Sequence, residues 1–256
     1  MNENEIIIKF SDLKTAINDC YNHVNSLLKT AKHLHHNSQY ENSIFFTIIA
    51  FEEFGKLCTY NEYYKKQIGI PRREIKKLTK HPYKLKKLIN YYESSIIGLT
   101  ETQYNVKEKN IKLNFGLPKT PFAKLKKSTI EIKEFFTSLD YVKQFILYYD
   151  FKEGRSLTLS HQITKNNMGH FSLFLLEFVV FFINYEHVRF TYPKIIFTIP
   201  ENENIIADDP SWKNCKDFAK RIRSDKFQSS IRKSVLTVKE IKLLYEELRR
   251  RNLLIK

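Results

Sequence analysis

Apolar and polar positions alternate with a helical period over most of this chain, and the breaks between periodic stretches predict where helices begin and end. Leu13, Ile17, Cys20, Val24, Leu27, Leu28, Ala31 and Leu34 recur at spacings of three and four, the apolar face of a first helix capped by Ser11 and running to about His36. The next stretch, Ser38 to Gln67, has a different pattern. Residues 44 to 51, IFFTIIAF, are apolar on every side except Thr47, which marks a buried helix. Gly69 with Pro71 closes it. Pro71 then opens a basic segment in which Pro82 suits the first turn of a further helix, with His81 at the N-cap and Lys84 at the third helical position. Residues 99 to 127 are polar, carry Pro118 and Pro121, and read as a loop insertion. Ser128 starts another helix through Ile132, Phe135, Phe136, Leu139, Val142, Phe145 and Ile146 to Tyr149. After a loop over residues 150 to 170, an apolar helix spans about Phe171 to His187.

Past Val188 the pattern changes. Residues 189 to 200 alternate like a strand interrupted by Pro193, residues 202 to 210 are acidic and loop-like, and Asp217 to Lys233 form a basic helix. A last helix begins with a capping box, Thr237 and Glu240, and carries Val238, Ile241, Leu244, Tyr245 and Leu248 on one face. The fold expected is all-α: an up-and-down bundle over residues 1–190, with short connections between antiparallel neighbours, followed by a carboxy-terminal extension over 191–256 with little or no sheet.

Candidate chemistry concentrates where the buried helix meets charge. Glu52 lies on the face of Phe45, Ile48 and Ile49 and reaches Lys56 at a spacing of four, while Glu53 reaches Lys56 at three. Neighbours on a helix diverge by about 100°, so only one of the two carboxylates faces the core. An exposed pair of this kind contributes only about 0.3–0.5 kcal/mol, but charge on a buried helix needs a partner or a purpose. Gly55, between them, favours close approach of another helix or a ligand.

His81 is the second centre. At a helix N-terminus an imidazole is kept neutral and able to accept a proton, and free backbone N–H groups there suit a phosphate. Lys76, Lys77, Lys80, Lys84 and Lys87 crowd around it; Lys76, Lys77, Lys80 and Lys87 are candidate RNA contacts, and a solvated lysine face is the competing reading. Arg155 and His161, with five residues between them in the loop before the apolar helix, form a secondary pair. His33 and His36 share a face at the end of the first helix, but no carboxylate or thiol sits at ligand spacing beside them, so no metal site is expected.

The run Glu52-Glu53-Phe54-Gly55-Lys56, followed by His81-Pro82-Tyr83-Lys84 and then by Leu147-Tyr148-Tyr149-Asp150-Phe151, resembles the EE-x-GK, H-x-x-K and tyrosine–aspartate signature of the AbiV family of abortive infection proteins. That family is similar to the HEPN superfamily of small helical bundles, which includes RNA-cleaving toxins. The resemblance extends over roughly residues 10 to 187. It implies a HEPN-like bundle, a homodimer with its sites near the interface, and phage defence by a metal-independent endoribonuclease without cofactor. Glu52, Lys56, His81 and Lys84 are then the catalytic candidates, with Glu53 beside them. Arg155 and His161 match the R-x(4–6)-H spacing of HEPN ribonucleases but sit a few residues early. The departure from that arrangement keeps a non-catalytic module acting on a phage or host protein as the alternative, and a phage-encoded activator or target protein is a candidate partner.

Charge agrees with an anionic partner: 43 basic against 28 acidic residues give +15, which favours RNA. Three cysteines without CxxC spacing suggest reduced thiols in a cytoplasmic chain. The stretch Phe171 to Ile183 is shorter than the roughly 20 residues a bilayer span needs, so no membrane partner is expected. Nucleotide-binding, zinc-protease and serine-hydrolase motifs are missing from the sequence.

Overall fold

A computed structural model of the chain describes residues 4–91, 135–144, 146, 165–191 and isolated positions between 209 and 250. The loop expected over 99–127, Arg155, His161, Leu147 to Phe151 and the strand-like residues 192–200 lie outside the described residues. Two long helices form the frame, α1 (Phe10–His36) and α2 (Tyr40–Lys65). Cys20 on α1 meets Glu53 on α2 and Ala31 meets Ser43, so the two run antiparallel. Both helices end in the same way. Ser38 and Gln67 adopt positive φ (59° and 54°), the N–H groups of Gln39 and Ile68 reach back to Leu34 and Tyr63, and the N–H groups of Ser38 and Gln67 bond to His35 and Tyr64. These are Schellman closures built without glycine.

The expected starts and stops shift accordingly. Lys9, not Ser11, precedes the first turn of α1, and the Ser11 hydroxyl bonds to Asp12 instead. Helix α2 ends at Lys65 and is closed by Gln67 rather than by Gly69. Gly69 serves another purpose: β1 (Ile6–Ile8) and β2 (Ile70–Pro71) pair antiparallel beside it, and a Cβ there would meet Ile6 Cγ2 at 2.5 Å and the Ile8 carbonyl at 2.7 Å.

A short helix, α3 (Arg72–Leu78), returns the chain from the end of α2 toward its middle. Helix α4 is described over 81–91 and α5 over 135–144, while α6 (Lys165–Thr191) is the last long helix of the bundle. Ser43 meets Ser172 and Asn61 meets Glu186, so α6 runs parallel to α2 and antiparallel to α1. The pattern of apolar residues placed α6 between Phe171 and His187; it extends further at both ends. Within the added amino-terminal part, the missing side chain of Gly169 admits the Tyr40 ring, 3.2 Å from where a Cβ would stand. The apolar part of this helix, Met168–His187, is long and apolar enough by length and composition to cross a bilayer. In the fold it lies against the bundle, with Phe171, Leu175, Val179 and Phe182 almost wholly buried.

The core is aromatic. Phe51 and Phe54 of α2, Tyr91 of α4, Phe136 of α5 and Phe178 and Phe182 of α6 interleave edge to face or tilted, with centroids 5.2–6.4 Å apart. Helix α2 is the central element, buried on most of its surface from Ser43 to Asn61. Among the described residues of the carboxy-terminal extension, Val238 and Ile241 join the core at 1% exposure, and Lys242 lies over the Tyr141 ring of α5. The Thr237 hydroxyl donates to the Lys233 carbonyl, so the helix is already running there and Thr237 is not its cap. Glu240, Leu244, Tyr245 and Leu248 lie outside the described residues.

Candidate functional site

The two glutamates in the middle of α2 divide the charges around them. Glu52 is 1% exposed, and its side chain faces α4 and α5: Oε2 lies 2.5 Å from His81 Nδ1, and Oε1 accepts from Lys143 Nζ. Lys143, itself 4% exposed, also pairs with Asp140 at 3.3 Å. Glu53 faces α1 and α4, with Lys84 Nζ 2.5 Å from Oε1 and Lys56 Nζ 3.3 Å from Oε2. Only one carboxylate is deeply buried, as the divergence of neighbouring helix positions requires. Of the two carboxylates at helical spacing from Lys56, only one is its partner. Lys56 bonds to Glu53, not Glu52, because Glu52 points into the α2–α5 contact while Lys56 stays one-third exposed beside Tyr60.

Gly55 is what lets α4 come close enough. A Cβ on Gly55 would stand 2.1 Å from the Lys84 carbonyl oxygen and 2.8 Å from its carbon, so backbone packs directly on backbone. His81 and Lys84 are three apart on α4 and therefore share a face. That face meets Glu52 through His81 and Glu53 through Lys84. The 25-residue separation between Lys56 and His81 is bridged by the short basic helix α3, which folds the chain back.

The N-terminus of α4 differs from the expectation. The N–H groups of Tyr83 and Lys84 both bond to the Lys80 carbonyl, so Lys80 is the cap and His81 the first helical residue. Pro82 has no N–H, which leaves at most the His81 N–H for an anion. This is a poor phosphate cradle. What positions His81 is the carboxylate: a carboxylate has no proton to give, so Nδ1 donates to Glu52 and Nε2 is left as the acceptor on a ring 52% exposed.

Electrostatics follow the same division. Burial acts to raise the Glu53 carboxyl, but the hydrogen bond from Lys84 and the charges of Lys56 and Lys84 outweigh it and hold the group below its ordinary 4.5. Burial acts to lower the Lys56 ammonium, and the charge of Glu53 overcomes it, so the group titrates above its ordinary 10.5. Burial pushes the Cys20 thiol, which contacts the Glu53 carbonyl, up to about 12, against the pull of Lys56. The depressed Glu53 contributes stability that is whole above pH 4.5 and is lost as pH falls through its lower folded value. Glu53→Gln should therefore be less stable than the parent at pH 7, with the gap in urea midpoint closing below about pH 4; a gap independent of pH would contradict the assignment.

The lysine face is only partly available. Lys76, Lys77 and Lys80 are exposed, as is Lys86. Lys87 is not a surface cation: it is 17% exposed, 2.8 Å from Glu62 and 3.9 Å from Glu74. Glu74 is buried, takes the Tyr83 hydroxyl and pairs with Lys77, clamping α3 to α4. Of the three histidines closing α1, His35 turns inward, 3.0 Å from Ser172, while His33 contacts Asn37.

A family model described as AbiV matches residues 12–173, more than half of the chain. The chain belongs to the AbiV family. These are HEPN-type proteins of abortive infection, a form of phage defence. No curated protein and no solved structure matches it. In this AbiV-family chain the matched span covers α1 from Asp12 onward and α2 to α5, and with them every member of the Glu52 and Glu53 networks. Lys143 and Asp140 were missed from the sequence, yet a signal for Lys143 was present. Lys143 continues the Phe136, Leu139 stripe at a spacing of four, so it is a charge on an apolar face, as Glu52 is.

Proposed function

We propose that this AbiV-family chain is a metal-independent endoribonuclease that protects against phage by cutting cytoplasmic RNA and so stopping translation. The observation that carries the reading is the buried Glu52 carboxylate, held by Lys143 on one oxygen and orienting His81 with the other. His81 Nε2 accepts the proton of a ribose 2′-hydroxyl; the 2′-oxygen attacks the adjacent phosphorus, and the 5′-oxygen leaves with a proton returned by imidazolium or water. Glu52, 2.5 Å from Nδ1, stabilises the imidazolium as it forms. Lys84 and Lys56 balance the charge gathering on the phosphate. Total RNA incubated with purified protein in excess chelator should give discrete fragments ending in 2′,3′-cyclic phosphate. Intact RNA at protein concentrations that arrest growth would rule the reading out.

A second reading rests on a specific observation. Glu53 already engages both Lys84 and Lys56, and α4 offers an anion at most one free N–H, a pattern that also suits a structural network in a non-catalytic module binding a phage or host protein. A homodimer and a phage-encoded activator belong to either version. RNA binding through the exposed lysines has its own test: changing Lys76, Lys80 and Lys86 together to Gln should weaken RNA binding and flatten its salt dependence by about 0.7–0.9 for each phosphate that is no longer neutralised. Lys87→Gln alone should leave that slope unchanged, because its charge is spent on Glu62 and Glu74.

A further inference from the structure

We propose that the end of the bundle formed by β1, the start of α1 and the turn from α2 into β2 seats the protein on an anionic lipid surface. Among the described residues, six large apolar side chains are markedly exposed, and four of them are here: Ile6 (50%), Ile7 (42%), Phe10 (41%) and Ile68 (49%). They cluster at one end of the fold. Ile6 and Ile7 lie on opposite faces of β1, which pairs with β2, so the tip is apolar on both sides; Ile6 packs over Gly69 next to Ile68, and Phe10 stacks on Tyr64 at 5.5 Å.

Around this tip stand exposed cations, Lys9 between Ile8 and Phe10, Lys66 at the end of α2 and Arg73 in the first turn of α3. The nearby acids among the described residues are Glu5, neutralised by Arg72 at 2.8 Å, Glu62, neutralised by Lys87 at 2.8 Å, and Asp12, which takes the Ser11 hydroxyl and stands against the three cations. The exposed balance is positive. An apolar tip inside a basic ring matches the interface of an anionic bilayer, where aliphatic groups enter the headgroup boundary and lysines meet the negative surface.

Other occupants fit less well. A partner strand adding to β1 would meet a register shift between Ile6 and Ile8, a device that blunts sheet edges. RNA bases would stack on aromatic faces, but three of the four side chains are isoleucines, and Tyr64 covers one face of Phe10. The patch also stands apart from the glutamate network: the 12 residues from Glu53 to the end of α2 place it roughly 18 Å along the helix. A peripheral seat departs from the expectation of no membrane partner, which was argued from the length of a spanning segment alone.

The test is co-sedimentation of the full chain with vesicles of phosphatidylcholine alone or mixed equally with phosphatidylglycerol. Binding to the mixed vesicles only is expected, with Ile7→Ser/Ile68→Ser weakening it about tenfold and Lys66→Gln about fivefold. Lys76→Gln/Lys80→Gln/Lys86→Gln, which alters a different basic surface, should leave vesicle binding largely intact. The Lys66 variant carries the test if the serine pair lowers the melting temperature. Equal binding to neutral vesicles, no binding at all, or binding weakened only by the Lys76 set would overturn the proposal. So would a serine pair that weakens RNA binding while leaving vesicle binding unchanged, which would make the patch a nucleic-acid surface.

Discussion

Lys143→Ala should destabilise the fold by about 3–5 kcal/mol, the usual cost of removing one member of a buried ion pair. The reason is its partner. Glu52 is 1% exposed and receives Lys143 on one oxygen, so the variant leaves a carboxylate in the aromatic core with only His81 beside it. Removing both charges is a different matter, because replacing a buried pair by apolar groups of similar size is often neutral or stabilising. Lys143→Met should therefore be rescued by adding Glu52→Leu, measured as recovery of the urea midpoint, although that double variant should lose any activity that depends on His81. Lys56→Ala makes the contrast. Its side chain is 32% exposed and Glu53 keeps Lys84, so a loss of no more than about 1 kcal/mol is expected.

Gly55→Ala should be the second severe change, and its effect on function should exceed its effect on stability. Alanine improves helix propensity by about 1 kcal/mol, but the added Cβ would lie 2.1 Å from the Lys84 carbonyl oxygen, a backbone atom that cannot rotate away. Helix α4 must move. Overpacking of this kind costs about 1–3 kcal/mol. The same shift draws Lys84 from Glu53 and His81 from Glu52, and a misplacement of about 1 Å lowers a catalysed rate on the order of 100-fold. The check is to compare the melting temperature with RNA cleavage: a near-normal melt with near-normal cleavage would mean that the α2–α4 spacing is not critical.

Much of this arrangement was legible because it is local in sequence. The apolar run around residues 44 to 51 identified the central helix, the glycine between two charged residues pointed to a close helix contact, and Pro82 marked the start of α4. Partners across the fold were harder. The choice between Glu52 and Glu53 for Lys56 turns on which side of α2 faces α5, and Lys143 lies 91 residues from Glu52. The end of α1 at His36 was read correctly, but the end of α2 was placed too late, at Gly69, because Gln67 takes a backbone position that glycine or asparagine would have announced. Lys87 carried the same sequence signal as its neighbours and differs only in turning toward Glu62 and Glu74.

The most direct measurement is RNA cleavage by a folded His81→Ala protein beside the parent, in chelator. His81 is half exposed and caps nothing, so its loss should cost about 1 kcal/mol or less, leaving Glu52 still paired with Lys143. The account predicts a protein with nearly unchanged melting temperature and at least a 100-fold loss of cleavage, the usual contribution of a positioned acid–base group. Cleavage retained within a few-fold by a well-folded His81→Ala protein would contradict it.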